Sequence, residues 1–182
     1  LIIRGTLEKY QYLEKQERAF ITRVCEGTLE YRLRLDYILN RYSTVPTEKM
    51  KPVIRELLRS GVYQMLYMDS VPDSAVCNEA VKLARKKGFY NLTGFVNGVL
   101  RKVAREYGSI RFPQKSQPVE YLSVMYSMPI WLVERFLKDY GFEKSEKIFE
   151  AFLEESPTTI RIREHLVDKQ AVLESLEKQK VL

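Results

Sequence analysis

An all-α fold is predicted by three features of the sequence. Apolar residues recur at three- and four-residue spacing through most of the chain. No stretch of the first 112 residues alternates as a half-buried strand would. Turn-forming stretches such as "STVPTEK" and "DSVPDS" separate the periodic segments. Hydrophobic residues make up 45% of the 182, enough for a core. No apolar run approaches the roughly 18 residues a bilayer span requires, so no membrane partner is expected.

"IIRGTLEKYQYL" is short and amphipathic and reads as a truncated first helix. The opening residues turn charged too soon for a signal peptide and lack an initiator methionine. The final "LEKQKVL" stops where a new apolar run begins, so a piece of a longer chain is expected. "ERAFITRVCEGTLEYRLRLDYILNRY" predicts a long helix with Phe20, Val24, Leu35, Ile38 and Leu39 among its apolar positions and a bend or break near its middle at Gly27. "MKPVIRELLRSGVYQMLYM" tolerates Pro52 in its first turn and turns Val53, Leu57, Leu58, Val62, Met65 and Leu66 inward. Asp73 is placed to cap "SAVCNEAVKLARKKG". "TGFVNGVLRKVARE" sets Phe95, Val96, Val99, Leu100 and Val103 on one side and Arg101, Lys102 and Arg105 on the other.

After the linker "RFPQKSQP", three short helices are predicted, punctuated by Pro129 and Gly141, with Trp131, Leu132 and Phe136 as a packing cluster. "TTIRIR" alternates like a strand, "VDKQAVLESLEKQ" is helical, and "KVL" is placed to open a second strand. The expected organisation is a helical domain over 1–112, a helical connector over 113–156, and the start of a β-α-β subdomain over 157–182.

Cys25 and Cys77 fall on apolar helix sides, where reduced buried thiols are expected rather than a disulfide framework or zinc site, favouring a cytoplasmic protein. His165 is the one histidine, which leaves no pair for metal or triad chemistry. No G-x-G pair and no Walker motif occurs. No catalytic, cofactor or metal site is therefore expected within these residues.

The net charge of +6 is uneven: +8 over residues 1–112 and −2 over 113–182. A basic N-terminal region suits a polyanionic partner, because each phosphate neutralised releases counterions. A merely solvated surface would look the same. Candidate contacts are Arg101, Lys102 and Arg105 with Gly98 among them, the triplet Arg85, Lys86 and Lys87, and the pair Arg55 and Arg59 at i, i+4. Each has a second reading. The triplet followed by Gly88 also matches helix-end preferences for cations and glycine. Arg55 and Arg59 form either a phosphate clamp or an ordinary polar face. Gly98 costs about 1 kcal/mol relative to alanine inside a helix. It marks a close approach by RNA or by a catalytic domain, packing against a neighbouring helix, or tolerance near the helix start. Asn97, at the border of the two faces, is expected as a buried hydrogen-bonding residue.

"LRSGVYQMLYMDSVPDSAVCNEAVKLARKKG" and "GFVNGVLRKVARE" together resemble the NusB-like RNA-binding fold over roughly residues 17 to 107. Two kinds of protein use it: free-standing transcription antitermination factors, and the N-terminal domain of the RsmB (Sun/Fmu) family of bacterial 16S ribosomal RNA cytosine-C5 methyltransferases. The continuation "LSVMYSMPIWLVERFLKDYGFEKSEKIFEAFLEESPTTIRI" resembles the connector of the methyltransferases, as "QERAFITRVCEGTLEYRLRLDYIL" resembles their D-R-A-F stretch, with Gln16-Glu17 where an acidic residue is usual.

The methyltransferase resemblance implies a helical domain that positions 16S rRNA for the parent's own methyltransferase domain, which would bind S-adenosylmethionine and carry two cysteines, one after proline and one after threonine. Cys25 and Cys77 each follow valine, so neither takes a catalytic role. The alternatives are an antitermination factor and a helical protein-interaction module. A truncated first helix would expose an apolar face through which two copies could pair.

Overall fold

In a computed structural model, the described residues are 2–10, 12–154, 159–163 and 168–178. They form two units, residues 1–152 and 153–182. Among them the order is α1 (Ile2–Leu7), α2 (Lys15–Glu30), α3 (Arg32–Tyr42), α4 (Pro52–Tyr67), α5 (Asp73–Lys86), α6 (Thr93–Glu106), α7 (Pro118–Met125), α8 (Ile130–Leu153) and α9 (Lys169–Lys178). Three single 3₁₀ turns, Thr47–Lys49, Tyr90–Leu92 and Tyr107–Ser109, join the main helices.

The first unit is built around α4, which touches α2, α3, α5 and α6. Pro52 opens it, where the missing N–H is not needed. Its Ile54, Leu58, Val62 and Met65 are buried with Leu35, Ile38 and Leu39 of α3 and Val96, Val99, Leu100 and Val103 of α6. Val53, expected inward, stays partly exposed. Asp73 is the first residue of α5 rather than its cap, and its side chain makes no capping bond.

The long predicted helix does break, but at Tyr31 and not at Gly27. Gly27 is buried inside α2 because Tyr63 lies against it. A Cβ there would sit 2.0 Å from Tyr63 Cζ. The chain turns four residues later, where the Tyr31 ring stacks on Tyr67 at 4.3 Å and Tyr67 stacks on Tyr63 at 5.1 Å. Tertiary aromatic contact, not local glycine freedom, places the break.

Residues after 112 dock on α3. Tyr37 stacks on Phe112 at 6.0 Å, and the Leu33 N–H donates to Ser127 Oγ at 2.9 Å. A second apolar cluster joins Leu122, Val133 and Phe149, with Leu132 and Phe136 against it. Trp131, expected in that cluster, is instead 69% exposed, because it falls on the opposite side of the turn from Val133. α8 kinks at Gly141, whose φ of 72° suits glycine. Glu146 accepts from Lys115 Nζ at 2.8 Å and Tyr121 Oη at 2.9 Å, and the bond from Lys115 holds its carboxyl below the ordinary range.

In the second unit, α9 forms as the sequence predicts, with the Ala171 N–H donating to Asp168 Oδ2 at 3.1 Å. Residues 159–163 belong to no helix or strand. The strand expected there is absent among the described residues, since no described segment offers the ladder that would pair its backbone. "KVL" and His165 lie outside the described residues.

Between α2, α4 and α5 runs an open apolar groove of about 620 Å³, lined by Val24, Cys25, Val53, Leu57 and Leu83. Cys77 is buried and Cys25 half-buried, both unbonded to sulfur.

Two outcomes test this packing. Gly27→Ala should destabilise by about 1–3 kcal/mol through overpacking against Tyr63, read by urea denaturation. Tyr67 Oη is buried without a hydrogen-bond partner, and burial pushes its pKa from 10.0 up to about 12. The unfolded chain loses that proton near pH 10 while the folded one keeps it, so stability present below pH 10 declines towards pH 12. Tyr67→Phe should be at least as stable at pH 7, since an unpaired hydroxyl leaves the core, and should show a shallower decline in urea titrations between pH 10 and 12.

Candidate nucleic-acid interface

The positive charges the sequence singled out occupy three distinct settings. The first is internal. Arg59 is 9% exposed. Its Nε donates to Asp36 Oδ1 at 2.7 Å, its Nη2 to Asp36 Oδ2, and its Nη1 to Glu56 Oε1 at 2.7 Å. Burial works against the charge, but the bonds and charges of Asp36 and Glu56 outweigh it and hold the guanidinium above its ordinary range. Arg55 is half-buried and meets the same Glu56 at 3.3 Å. The phosphate-clamp reading of Arg55 and Arg59 is therefore overturned: helical spacing puts them on one face, and that face meets carboxylates.

The second setting is a helix end. Arg85, Lys86 and Lys87 are all exposed. Gly88 takes φ +83°, its N–H donates to Arg85 O at 2.9 Å, and the Phe89 N–H donates to Ala84 O at 2.9 Å. This is a Schellman closure, and cations beside the last carbonyls are favourable in themselves.

The third setting is α6. Its apolar face is buried as predicted, with Phe95 half-buried at its start. On the other side Gly98, Arg101, Lys102 and Arg105 sit at i, i+3, i+4 and i+7 and are all exposed. A Cβ added at Gly98 would meet nothing within 4 Å, which overturns packing against a neighbouring helix. Gly98 is the sixth residue of α6, so nearness to the helix start does not explain it either. Arg101 Nε donates to Asn97 Oδ1 at 3.1 Å, and Asn97 is half-buried rather than buried. Lys102 Nζ lies 5.7 Å from the Tyr42 ring centroid, and Tyr42 Oη donates to Glu106 O at 3.0 Å. Among the described residues none of Arg101, Lys102 and Arg105 pairs with a carboxylate.

The second and third settings do not merge. α5 and α6 are joined by a turn of six residues and run antiparallel, so the triplet lies beside the start of α6. Arg101 lies beside the first half of α5, where burial pushes the Cys77 thiol up and Arg101 pulls the other way. Roughly 15 Å of helix separates the two groups. Sequence reasoning missed Tyr42, which positions Lys102 from 60 residues away. No spacing rule links the two.

Among the described residues no group of three or more histidine, cysteine or acidic side chains could hold a metal, and no helix is long and apolar enough to cross a membrane.

Comparisons with known proteins match two stretches of the chain. The NusB family matches residues 2–105, and the ferredoxin-like domain of RsmF/B-like methyltransferases matches residues 128–181. A probable ribosomal RNA small subunit methyltransferase B of Bacillus subtilis is 35% identical over 176 residues, covering 97% of this chain and 39% of the relative. Its counterpart in Synechocystis is 31% identical over 96% of this chain and 39% of the relative. The transcription antitermination protein NusB of Kineococcus radiotolerans is 39% identical over 82 residues, which cover 44% of this chain and 60% of that protein. The solved structure of PH0851 superposes with a TM-score of 0.67 at 19% identity, covering 96% of this chain and 39% of that one, and shows the fold. The chain thus spans about two fifths of the length of its methyltransferase relatives.

Arg59→Ala should destabilise the protein by about 3 kcal/mol, because it strands Asp36 without its partner. Polyanion binding of the folded fraction should not change. Chemical denaturation and a heparin titration below the unfolding midpoint check the two halves.

Proposed function

The chain belongs to the NusB family, and from that premise we propose that it is the RNA-binding N-terminal region of a 16S ribosomal RNA cytosine-C5 methyltransferase. Its task is to hold and orient rRNA for a methyltransferase domain of the parent protein, in the cytoplasm. That domain would bring S-adenosylmethionine and the reactive cysteines. The observation that carries the RNA role is the free cationic face of α6, where Arg101, Lys102 and Arg105 are exposed and uncompensated around an open Gly98. A side chain at position 98 would hold a phosphate backbone away from those cations. The names of the relatives at 35% and 31% identity support the choice of ribosomal RNA.

A transcription antitermination role is the second reading, favoured by the likeness to antitermination proteins over 82 residues. The ferredoxin-like match over residues 128–181 favours the methyltransferase instead.

Replacing Arg101, Lys102 and Arg105 together by alanine should weaken binding to a 16S rRNA fragment and make the slope of log K against log salt shallower by about 2–3. Fluorescence anisotropy at several salt concentrations reads both quantities. Unchanged binding by a folded variant overturns the proposal. Gly98→Leu should reduce affinity with little loss of stability.

A further inference from the structure

The cationic face of α6 does not end at the helix. The chain from Lys102 to Phe112 wraps the C-terminal half of α3, and the contacts there join further cations to the same surface. Lys102 lies over the Tyr42 ring. Arg41, next in sequence to Tyr42, lies over the Tyr37 ring at 5.1 Å, with its Nη2 donating to Tyr37 Oη at 2.8 Å. Tyr37 Oη in turn donates to the carbonyl of Arg111 at 3.0 Å. Arg41, Lys102, Arg105 and Arg111 are exposed, and none has a carboxylate partner among the described residues.

Tyr37, Tyr42 and Phe112, the rings that meet cations here, are half-buried and already occupied, while Tyr107 in the same stretch is exposed. Tyr42 carries Lys102, Tyr37 is flanked by Arg41 and Phe112, and Phe112 carries the guanidinium of Arg34 at 4.8 Å. Sequence-specific single-stranded RNA is read by bases splayed onto free aromatic faces, whereas paired RNA is held through phosphates and shape. With Tyr37, Tyr42 and Phe112 spent on holding cations, the strip is suited to the second, and the exposed Tyr107 is the ring through which the first can be tested.

We propose that Arg41 and Arg111 extend the α6 surface into a continuous phosphate-binding strip that grips the backbone of paired RNA without reading its sequence. Arg41 is held by Tyr37, and Lys102 is steered by Tyr42, so their charges are presented in fixed places at reduced entropic cost. The inference rests on the RNA role proposed above and names the kind of RNA contact made.

The test uses the chain as it stands, with Arg41→Gln and Arg111→Gln combined, since glutamine keeps much of the stem while removing the charge. The probes are an RNA hairpin, a second hairpin of scrambled sequence and equal length, and single-stranded oligouridylate. Wild type is expected to bind the two hairpins within about twofold of each other and more tightly than oligouridylate. The double variant should lose about tenfold in hairpin affinity and about two units of salt slope. Tyr107→Ala, which removes a partly exposed ring next to the strip, should leave binding unchanged. If the α6 triple variant weakens binding and the Arg41/Arg111 variant does not, the strip is refuted while the RNA role stands. If neither weakens it, both fall. A tenfold preference between hairpins, tighter binding of oligouridylate, or a loss on Tyr107→Ala overturns backbone recognition.

Discussion

The packing of α3 on α4, through buried Leu35, Ile38 and Leu39 with the Asp36–Arg59 pair beside them, fixes which way α3 faces, and most of what the surface can do follows from that. Two nearly parallel hydrogen bonds hold the carboxylate flat against the guanidinium, a geometry with little rotational freedom. With Asp36 pinned to α4 and Leu35, Ile38 and Leu39 buried, the remaining face of α3 must turn outward. That face carries Tyr37, Arg41 and Tyr42, which meet the chain between Lys102 and Phe112. A buried ion pair adds little net stability over apolar packing. Here it reinforces an orientation that Leu35, Ile38 and Leu39 already impose.

The same pairing separates two populations of cation. Arg55 and Arg59 are neutralised by Glu56 and Asp36, while Lys82, Lys115 and Arg135 each hold a carboxylate of their own. The cations of α6, with Arg41 and Arg111, hold none among the described residues, so their field extends into solvent. Net charge by itself could not separate these populations, because it counts an internal partner and a free one alike.

Aromatic contacts serve a related purpose elsewhere. The stack of Tyr31, Tyr67 and Tyr63 joins the α2–α3 break to α4, and Gly27 clears the space that Tyr63 fills. Phe112 and Ser127 tie the segment after the first domain to α3. The surface proposed for RNA and the segment that follows residue 112 are thus both anchored on α3.

Helical periodicity made the α-helical class, the buried faces of α4 and α6, and the exposed arginines of α6 readable from the chain alone. Those features are local: a side chain's position on a helix follows from its spacing, whatever the helix packs against. The family resemblance was legible for the same reason, since its motifs are short and contiguous. What tertiary structure decided were questions about partners distant in sequence. Arg59 proved internal because Asp36 arrives from 23 residues away. Gly27 proved a contact point and Tyr31 the break because of rings on α4. Gly98 was a puzzle in one dimension and an open surface in three. Trp131 and the segment 159–163 went against expectation because burial and strand pairing both require a neighbour, and no periodicity says whether one comes.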